Sequence, residues 1–142
     1  MEDRISFFYE DTNFVLEKRN TYRKWLSLLI EMHQGQLQQI SYIYCSDDYL
    51  HKLNLSYLSH DTLTDIITFP YESFPIIAAD IFISIDRIKE NAEELNLSFD
   101  NELIRVMSHG ILHLCGYGDK SEEDLIIMRN KENEAIKLFE TQ

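Results

Sequence analysis

Glycine, proline and cysteine are all scarce in this sequence. Four glycines and two prolines among 142 residues leave little room for long irregular segments, so regular elements should account for nearly all of the chain. The two cysteines, Cys45 and Cys115, are too few for a disulfide framework and fit a reducing compartment. No apolar run approaches the roughly 20 residues of a membrane helix, and residues 1–4 lack the basic start of a secretory signal. We therefore expect a cytoplasmic protein without a membrane partner.

Positive charge is also in short supply. Thirteen Lys and Arg residues face 25 Asp and Glu residues, which gives a formal net charge of −12. Phosphate contacts supply much of the affinity of nucleic-acid-binding proteins, so the overall charge taken alone argues against that class. It does not exclude a local patch, and the densest basic cluster is formed by Lys18, Arg19, Arg23 and Lys24. This cluster fits a solvated helix face better than a phosphate-binding surface.

The length and the remaining composition are those of an ordinary globular protein. A chain of 142 residues with 44% hydrophobic and 27% charged residues needs neither a disulfide nor a metal to fold. We therefore expect a single domain over residues 1–142. Apolar periodicity and cap residues predict strands at 5–9, 39–45, 65–71 and 80–85, and helices at 17–33, 46–55, 86–95, 98–115 and 121–139.

The order of these elements predicts the topology. The first two strands are joined by a helix, so they should be parallel with a right-handed crossover. Residues 72–79, between the third and fourth strands, are too few for a helical crossover, so these strands should be antiparallel. Pro70 lacks an amide donor and marks an edge or an end of the sheet, and Asp86 is expected to cap the following helix. The expected fold is α+β, a small mixed four-stranded sheet covered by about five helices.

One predicted helix carries two histidines among apolar residues. His109 and His113 are four positions apart, so both imidazoles project from one face of the helix at 98–115. Two imidazoles so placed can bind one divalent cation, which would offset the cost of burying them. The glycines that follow would break the helix and turn the chain back, which would bring Asp119 to the same point. Two histidines, one carboxylate and an open fourth position are typical of a catalytic zinc site, here in a cleft beside the helix.

Other residues could complete or replace this set. Asp119 could instead be a turn residue ahead of Ser121, and Cys115 is more readily a buried structural thiol than a ligand. His60 and His51 are weaker candidates for a distant third ligand. Zinc is favoured by the imidazoles, although another divalent ion would also fit.

The usual general base of a zinc peptidase is missing. The residue after His109 is Gly110, where peptidases of the H-E-x-x-H pattern carry glutamate. Two other carboxylates, Asp65 and Asp80, are predicted at the starts of the third and fourth strands. Acidic residues at strand ends often only cap turns. If they are functional, they could orient a water, accept its proton or hydrogen-bond a ligand histidine.

These same segments resemble a known family. The run His109-Gly-Ile-Leu-His113-Leu-Cys-Gly-Tyr117 resembles the H-G-x-L-H-L-x-G-Y-D-H signature of the YbeY family. The segments at 53–57 and 64–70 (LNLSY and TDIITFP) are similar to its L-N-x-x-Y-R-x-K-D-x-P-T-D-V-L-S-F-P motif. Residues 79–81 (ADI) match its G-D-I, with alanine for glycine. Together these segments cover roughly residues 53–119.

The resemblance implies a function as well as a fold. It implies a zinc-dependent, single-strand-specific endoribonuclease, and hence a hydrolase, of the bacterial cytoplasm. Its implied roles are 16S rRNA 3′-end processing, ribosome maturation and ribosome quality control. The implied partners are 16S rRNA and ribosomal or small-subunit proteins, not DNA. One zinc ion per chain would be held by His109, His113 and Asp119, and Tyr57 and Tyr117 would be available for base stacking.

Three positions depart from the family's pattern. Asp119 stands where most of the family has histidine, which lowers the net charge of the site by one. Leu58 stands at the expected arginine, and His60 stands at the expected lysine. Arg105 and Lys120 are the candidates to supply the missing phosphate contact. Asp65 and Asp80, by contrast, match the family's motifs and carry over as residues of the site wall.

Two other functions stay open at this point. One is a zinc-dependent hydrolase of another substrate, such as a peptide, which the net negative charge fits but the missing glutamate does not. The other is a non-catalytic ribosome-assembly factor whose metal only stabilises the fold. For the endoribonuclease, the acidic surface predicts weak RNA binding by the isolated protein and targeting by a ribosomal partner.

Overall fold

Four strands form one mixed sheet in the predicted arrangement. The structure, a computed structural model, describes residues 4–58 and 64–142. The strands lie in the order β1-β2-β4-β3, with parallel pairing of β1 with β2 and of β2 with β4, and antiparallel pairing of β3 with β4. Their bounds are β1 (Ile5–Glu10), β2 (Gln36–Cys45), β3 (Ile66–Pro70) and β4 (Ile76–Ser84). β3 is thus an edge strand, as Pro70 indicated, and it ends at that proline, one residue before the predicted bound.

Five α-helices of the described residues cover the sheet, which confirms the predicted α+β fold. They are α1 (Arg19–Met32), α2 (Asp47–Leu53), α3 (Ile85–Leu95), α4 (Phe99–Leu114) and α5 (Glu122–Glu140), and a π-helical turn, Asn54–Leu58, extends α2. All helices but α1 begin after a serine whose hydroxyl accepts a hydrogen bond from a backbone N–H three residues on. Within residues 4–58 and 64–142, no helix is both long enough and apolar enough to cross a bilayer.

Two local predictions were wrong. Ser84, not Asp86, caps α3, because the strand leads straight into the helix, and the Asp86 carboxylate instead accepts a hydrogen bond from the N–H of Asp47. β4 begins four residues earlier than predicted, so Asp80 lies inside the strand, opposite Phe69 of β3. The early part of β4 contains two buried alanines, which have weak strand propensity, and pairing with β2 overrides that preference.

The main core lies on the sheet face that carries α1, α4 and α5. Trp25 of α1 is fully buried and its indole N–H donates to the carbonyl of Ala135 in α5 at 2.8 Å. The hydroxyl of Tyr42 donates to the carbonyl of Met107 at 2.9 Å, which ties β2 to the middle of α4. A smaller cluster of Cys45, Leu50 and Ile67 occupies the opposite face under α2.

Close packing at Gly110 sets the distance between α4 and the β3 edge of the sheet. A Cβ at this glycine would lie 3.2 Å from Cδ1 of Ile66 and 3.3 Å from Cδ1 of Ile81. The missing side chain therefore lets the helix approach β3 and β4 more closely than another residue would allow. Because of this approach, the C-terminal turns of α4 stand directly beside the edge strand.

Candidate metal centre

The last two turns of α4 and the segment after them bring His109, His113 and Asp119 together. Nε2 of His113 lies 3.0 Å from Oδ2 of Asp119, and Nε2 of His109 lies 3.6 Å from the same oxygen. The potential ligand atoms of all three residues lie within 4.8 Å of one another. Two imidazole nitrogens and one carboxylate oxygen at this separation can hold a single divalent cation.

Local sequence explains how Asp119 reaches the two histidines. Gly116 adopts φ +100°, a left-handed conformation that ends the helix, and the N–H of Tyr117 returns to the carbonyl of Leu112 at 3.0 Å. A Cβ at Gly118 would lie 3.0 Å from Oδ2 of Asp124, so the turn passes close to the start of α5. The predicted helix stop and reversal are confirmed, and the reversal delivers the carboxylate beside α4.

Glu132 of α5 holds the other ring nitrogen of His109, and sequence reasoning missed it. Nδ1 of His109 lies 2.7 Å from Oε2 of Glu132, which is only 6% exposed. With Nδ1 donating to this carboxylate, the lone pair of Nε2 is left free to face Asp119 and a cation. Arg105 donates to Oε1 of Glu132 at 3.1 Å, and Nε of Arg129 lies 4.0 Å from the same oxygen, so both oxygens of the buried carboxylate face positive or donor groups.

The pKa values of this pair follow from their mutual contact. Burial opposes charge on His109, but the hydrogen bond to Glu132 and the charge of that carboxylate more than offset it and raise the pKa of the imidazole. Burial likewise works against the charged form of Glu132, yet hydrogen bonds from His109 and Arg105 lower its pKa overall. The carboxylate therefore stays ionised and fixes the ring orientation of His109.

A cavity of about 700 Å³ opens between the end of α4 and β3. Its wall includes His109, His113 and Asp119, together with Asp65, which directly precedes β3. Burial raises the pKa of the Asp65 carboxyl, and the amide of Asn91 lies 3.5 Å from it. None of the described residues that line the cavity is a lysine or an arginine.

The structure separates Asp80 and Arg105 from this cavity. Asp80 accepts a hydrogen bond from the hydroxyl of Tyr71 and is not among the described residues of the cavity wall. Arg105 bonds to Glu132 and to Oδ1 of Asn133 at 3.0 Å, so its guanidinium is held against α5. Lys120 is exposed beside Asp119.

The two tyrosines expected to stack bases lie in different surroundings. Tyr57 is 71% exposed in the π-helical turn and contacts Phe69 edge-on. The hydroxyl of Tyr117 lies 3.2 Å from Nδ1 of His33, and Lys131 lies 6.0 Å from the centre of its ring. Tyr117 therefore ties the turn that carries Asp119 to α1 and α5.

The alternative ligands do not join the cluster. Cys115 is half-buried, burial raises the pKa of its thiol to about 11, and it is not a member of the described ligand group. His51 lies in α2 and is likewise not a member of that group. His60 and the side chain of Leu58 lie outside the described part of the chain.

Comparison with known proteins identifies the family. A family model described as endoribonuclease YbeY matches residues 6–140. The chain belongs to the endoribonuclease YbeY family. A YbeY endoribonuclease of Flavobacterium johnsoniae is 49% identical over 97% of this chain and 99% of its own length. One from Christiangramia forsetii is 47% identical over 95% of this chain and 94% of its own length.

A solved structure shares the fold. The solution structure of TM1509 from Thermotoga maritima covers 94% of this chain and 88% of its own, with a TM-score of 0.66 and 24% sequence identity. The family model and the relatives confirm the resemblance to YbeY that the motifs predicted. They also confirm the predicted class of enzyme, a hydrolase that acts as an endoribonuclease. The described cluster of His109, His113 and Asp119 is consistent with a metal cofactor.

Proposed function

We propose that this chain is a metal-dependent, single-strand-specific endoribonuclease that acts in 16S rRNA 3′-end processing, ribosome maturation and ribosome quality control. The observation that carries the proposal is the convergence of His109, His113 and Asp119 in an open cavity of a YbeY-family chain. The family supports RNA as the substrate class, and the ligand set supports a hydrolytic site that depends on a cation.

The donor set fits one zinc ion per chain. Imidazole nitrogens suit zinc, although another divalent ion of similar preference would also be accepted. His109, His113 and Asp119 would hold the ion, and Glu132 keeps His109 in the tautomer that such binding requires. When bound, the cation would polarise a phosphate oxygen and lower the pKa of a water molecule.

Asp65 is the described carboxylate best placed to move a proton. It lines the same cavity as the ligand cluster, and its raised pKa brings it nearer to the range in which a general base works best. Asp65 would accept the proton of the attacking water or orient that water. The position of Asp80 against Tyr71 supports a structural role instead.

RNA would enter the cavity as an unpaired strand. Tyr57 follows Asn54, a residue of the cavity wall, by three residues, and its exposed ring is available for a base to stack. Lys120 is exposed and follows Asp119 in the sequence, so its ammonium group could contact a flanking phosphate. The net charge of −12 predicts weak binding of free RNA, so ribosomal or small-subunit proteins in the cytoplasm would supply targeting.

The decisive test is cleavage with and without one ligand. Zinc-loaded wild-type protein and the His113→Ala variant are incubated with single-stranded and base-paired fragments of the 16S rRNA 3′ end. We expect the wild type to cleave only the single-stranded fragment and His113→Ala to lose both zinc and cleavage. The control is His51→Ala, which alters a histidine outside the ligand group. Equal cleavage by the wild type and His113→Ala would end the assignment.

A further inference from the structure

The backbone of β3 alternates between groups that face β4 and groups that face away from it. In an antiparallel pair, the N–H and C=O of every second residue point to the partner strand. The N–H of Ser84 donates to the carbonyl of Asp65 at 3.0 Å, just before β3. Just after β3, the N–H of Tyr71 donates to the carbonyl of Ala78 at 2.8 Å. Odd-numbered residues of β3 therefore face β4.

The backbone groups of the even-numbered residues consequently face away from the sheet. Ile66, Thr68 and Pro70 are paired with β4 only across its non-hydrogen-bonded positions, and all three line the cavity of the candidate metal centre. Ile66 also packs beside Gly110, next to the ligand His109. This outward edge, defined here as the backbone groups of Ile66, Thr68 and Pro70, therefore runs along one side of the site.

The outward edge changes from donors to acceptors along its length. The hydroxyl of Thr64 donates to the carbonyl of Ile66 at 3.2 Å, so the acceptor at that end is already engaged. The N–H groups of Ile66 and Thr68 have no partner within the described residues. At the other end, Pro70 has no N–H, so only the carbonyls of Thr68 and Pro70 are offered there.

The phosphates of an RNA strand in this cavity would need hydrogen-bond donors, and the described wall offers few charged ones. The charged side chains of the described wall, apart from the histidines, are the carboxylates of Asp65 and Asp119, and no lysine or arginine lies among them. Backbone N–H groups donate to phosphate oxygens without a counter-charge of their own. Those of Ile66 and Thr68 are about 6.8 Å apart, two residues along an extended strand, a separation that successive phosphates of an extended nucleic acid can match.

We propose that the outward edge of β3 binds the sugar-phosphate backbone of single-stranded RNA beside the metal ligands. The N–H groups of Ile66 and Thr68 donate to phosphate oxygens, and the carbonyls of Thr68 and Pro70 accept hydrogen bonds from ribose 2′-hydroxyls. The inference rests on the proposed endoribonuclease function and extends it. A straight row of backbone groups accepts only an unpaired strand, and the 2′-hydroxyl contacts favour RNA over DNA.

Two substitutions at one position separate the backbone from the side chain. Thr68→Pro removes the outward N–H, and proline is tolerated on an edge strand where the N–H does not join the ladder. Thr68→Val removes the hydroxyl and keeps the N–H. We expect Thr68→Pro to raise KM for a single-stranded oligoribonucleotide about tenfold or more, since a hydrogen bond to a charged group is lost. Thr68→Val, which keeps the donor, should raise KM much less than Thr68→Pro does, and both variants should bind zinc as the wild type does.

Amide hydrogen exchange in the wild-type protein gives an independent measurement. It tests the inference even when Thr68→Pro does not fold. Exchange is followed by NMR in metal-free wild-type protein with and without the same oligoribonucleotide. We expect RNA to slow exchange at Ile66 and Thr68, whereas Ile67 and Phe69, whose N–H groups face β4, should already be protected. A DNA oligonucleotide of the same sequence should protect the two outward amides less.

The outcomes separate this inference from the proposed function. An active wild type with the same KM for Thr68→Pro and Thr68→Val, or without added protection at the outward amides, would overturn the inference alone. Protection by an extended peptide but not by RNA would assign the edge to a peptide strand and overturn it as well. A wild type that cleaves no RNA would overturn the proposed function and this inference with it.

Discussion

The two walls of the cavity at the candidate metal centre differ in the polar groups they offer. The helix wall, formed by the end of α4 with α5 packed behind it, has its ligand histidine fixed by a charged partner, as the contact between His109 and Glu132 shows. The strand wall, formed by Asp65 and β3, offers mostly neutral groups that point outward from the sheet edge. The difference fits the proposed function, in which the helix wall would orient the ligands of the cation and the strand wall would receive the substrate.

The largest effect on RNA cleavage is expected from substitution of Asp65, the one charged side chain among the described residues of the strand wall. Asp65→Asn should lower kcat for RNA cleavage by about 10²- to 10⁴-fold, because it removes the proposed proton acceptor. Zinc affinity should change little, since Asp65 is not a member of the ligand group. Asp80→Asn is the matched control, and single-turnover cleavage is the measurement. A larger loss in Asp80→Asn than in Asp65→Asn would reverse the roles given to these two residues.

A smaller effect is expected where the helix wall orients a ligand. Glu132→Gln should weaken zinc binding by about 10- to 100-fold, because the hydrogen bond to Nδ1 of His109 loses its charge. Glu134→Gln, on the same helix but paired at the surface with Lys131, should leave zinc binding unchanged. Competition with a chromophoric chelator measures both affinities. Identical values for the two variants would show that the ligand does not need the buried carboxylate.

The smallest effect concerns a buried carboxylate of α4 that is not among the described residues of the cavity wall. Glu102 of α4 is 5% exposed, and its Oε1 has no hydrogen-bond partner among the described residues. Burial, followed by the nearby charge of Asp65, raises the pKa of this carboxyl. A group whose pKa is raised in the folded state favours folding at low pH, and that contribution is lost as the pH rises through the folded pKa.

Replacement of Glu102 should therefore stabilise the protein at alkaline pH. We expect Glu102→Gln to increase the free energy of unfolding by about 1 kcal/mol at about pH 8, well above the ordinary pKa of a carboxyl. The gain should shrink as the pH is lowered towards about 5. Urea denaturation at both pH values measures it, with the exposed Glu94→Gln as control. A gain that does not depend on pH would contradict ionisation as the cause.

Local sequence patterns were enough to predict the two histidines of the helix wall and the end of α4. The spacing of His109 and His113 and the glycine after α4 both act within one or two turns, so the sequence itself shows them. The parallel pairing of β1 with β2 and the antiparallel pairing of β3 with β4 follow from rules of similar range. The resemblance to YbeY motifs added the substrate class, which no spacing of residues could provide.

The other features of the site could not be predicted, because they depend on contacts between segments that are distant in the sequence. Glu132 meets His109 across 23 positions, through the packing of α5 on α4. A signal was present, since Glu132 shares a buried helix face with Met128 and Ala135, and a carboxylate on such a face requires a partner. The identity of that partner, like the engagement of Tyr117 with His33, is fixed only when the helices are packed.

The brevity of β3 has a consequence for how copies of this chain behave in concentrated solution. An unpaired strand edge is a template on which another sheet can grow, and proteins that keep one open risk aggregation. In β3 only two outward N–H groups are available to a neighbouring strand, because the next outward position is Pro70, which has no N–H. A neighbouring strand would find too short a ladder to hold it, and the shared negative charge of −12 would push the copies apart.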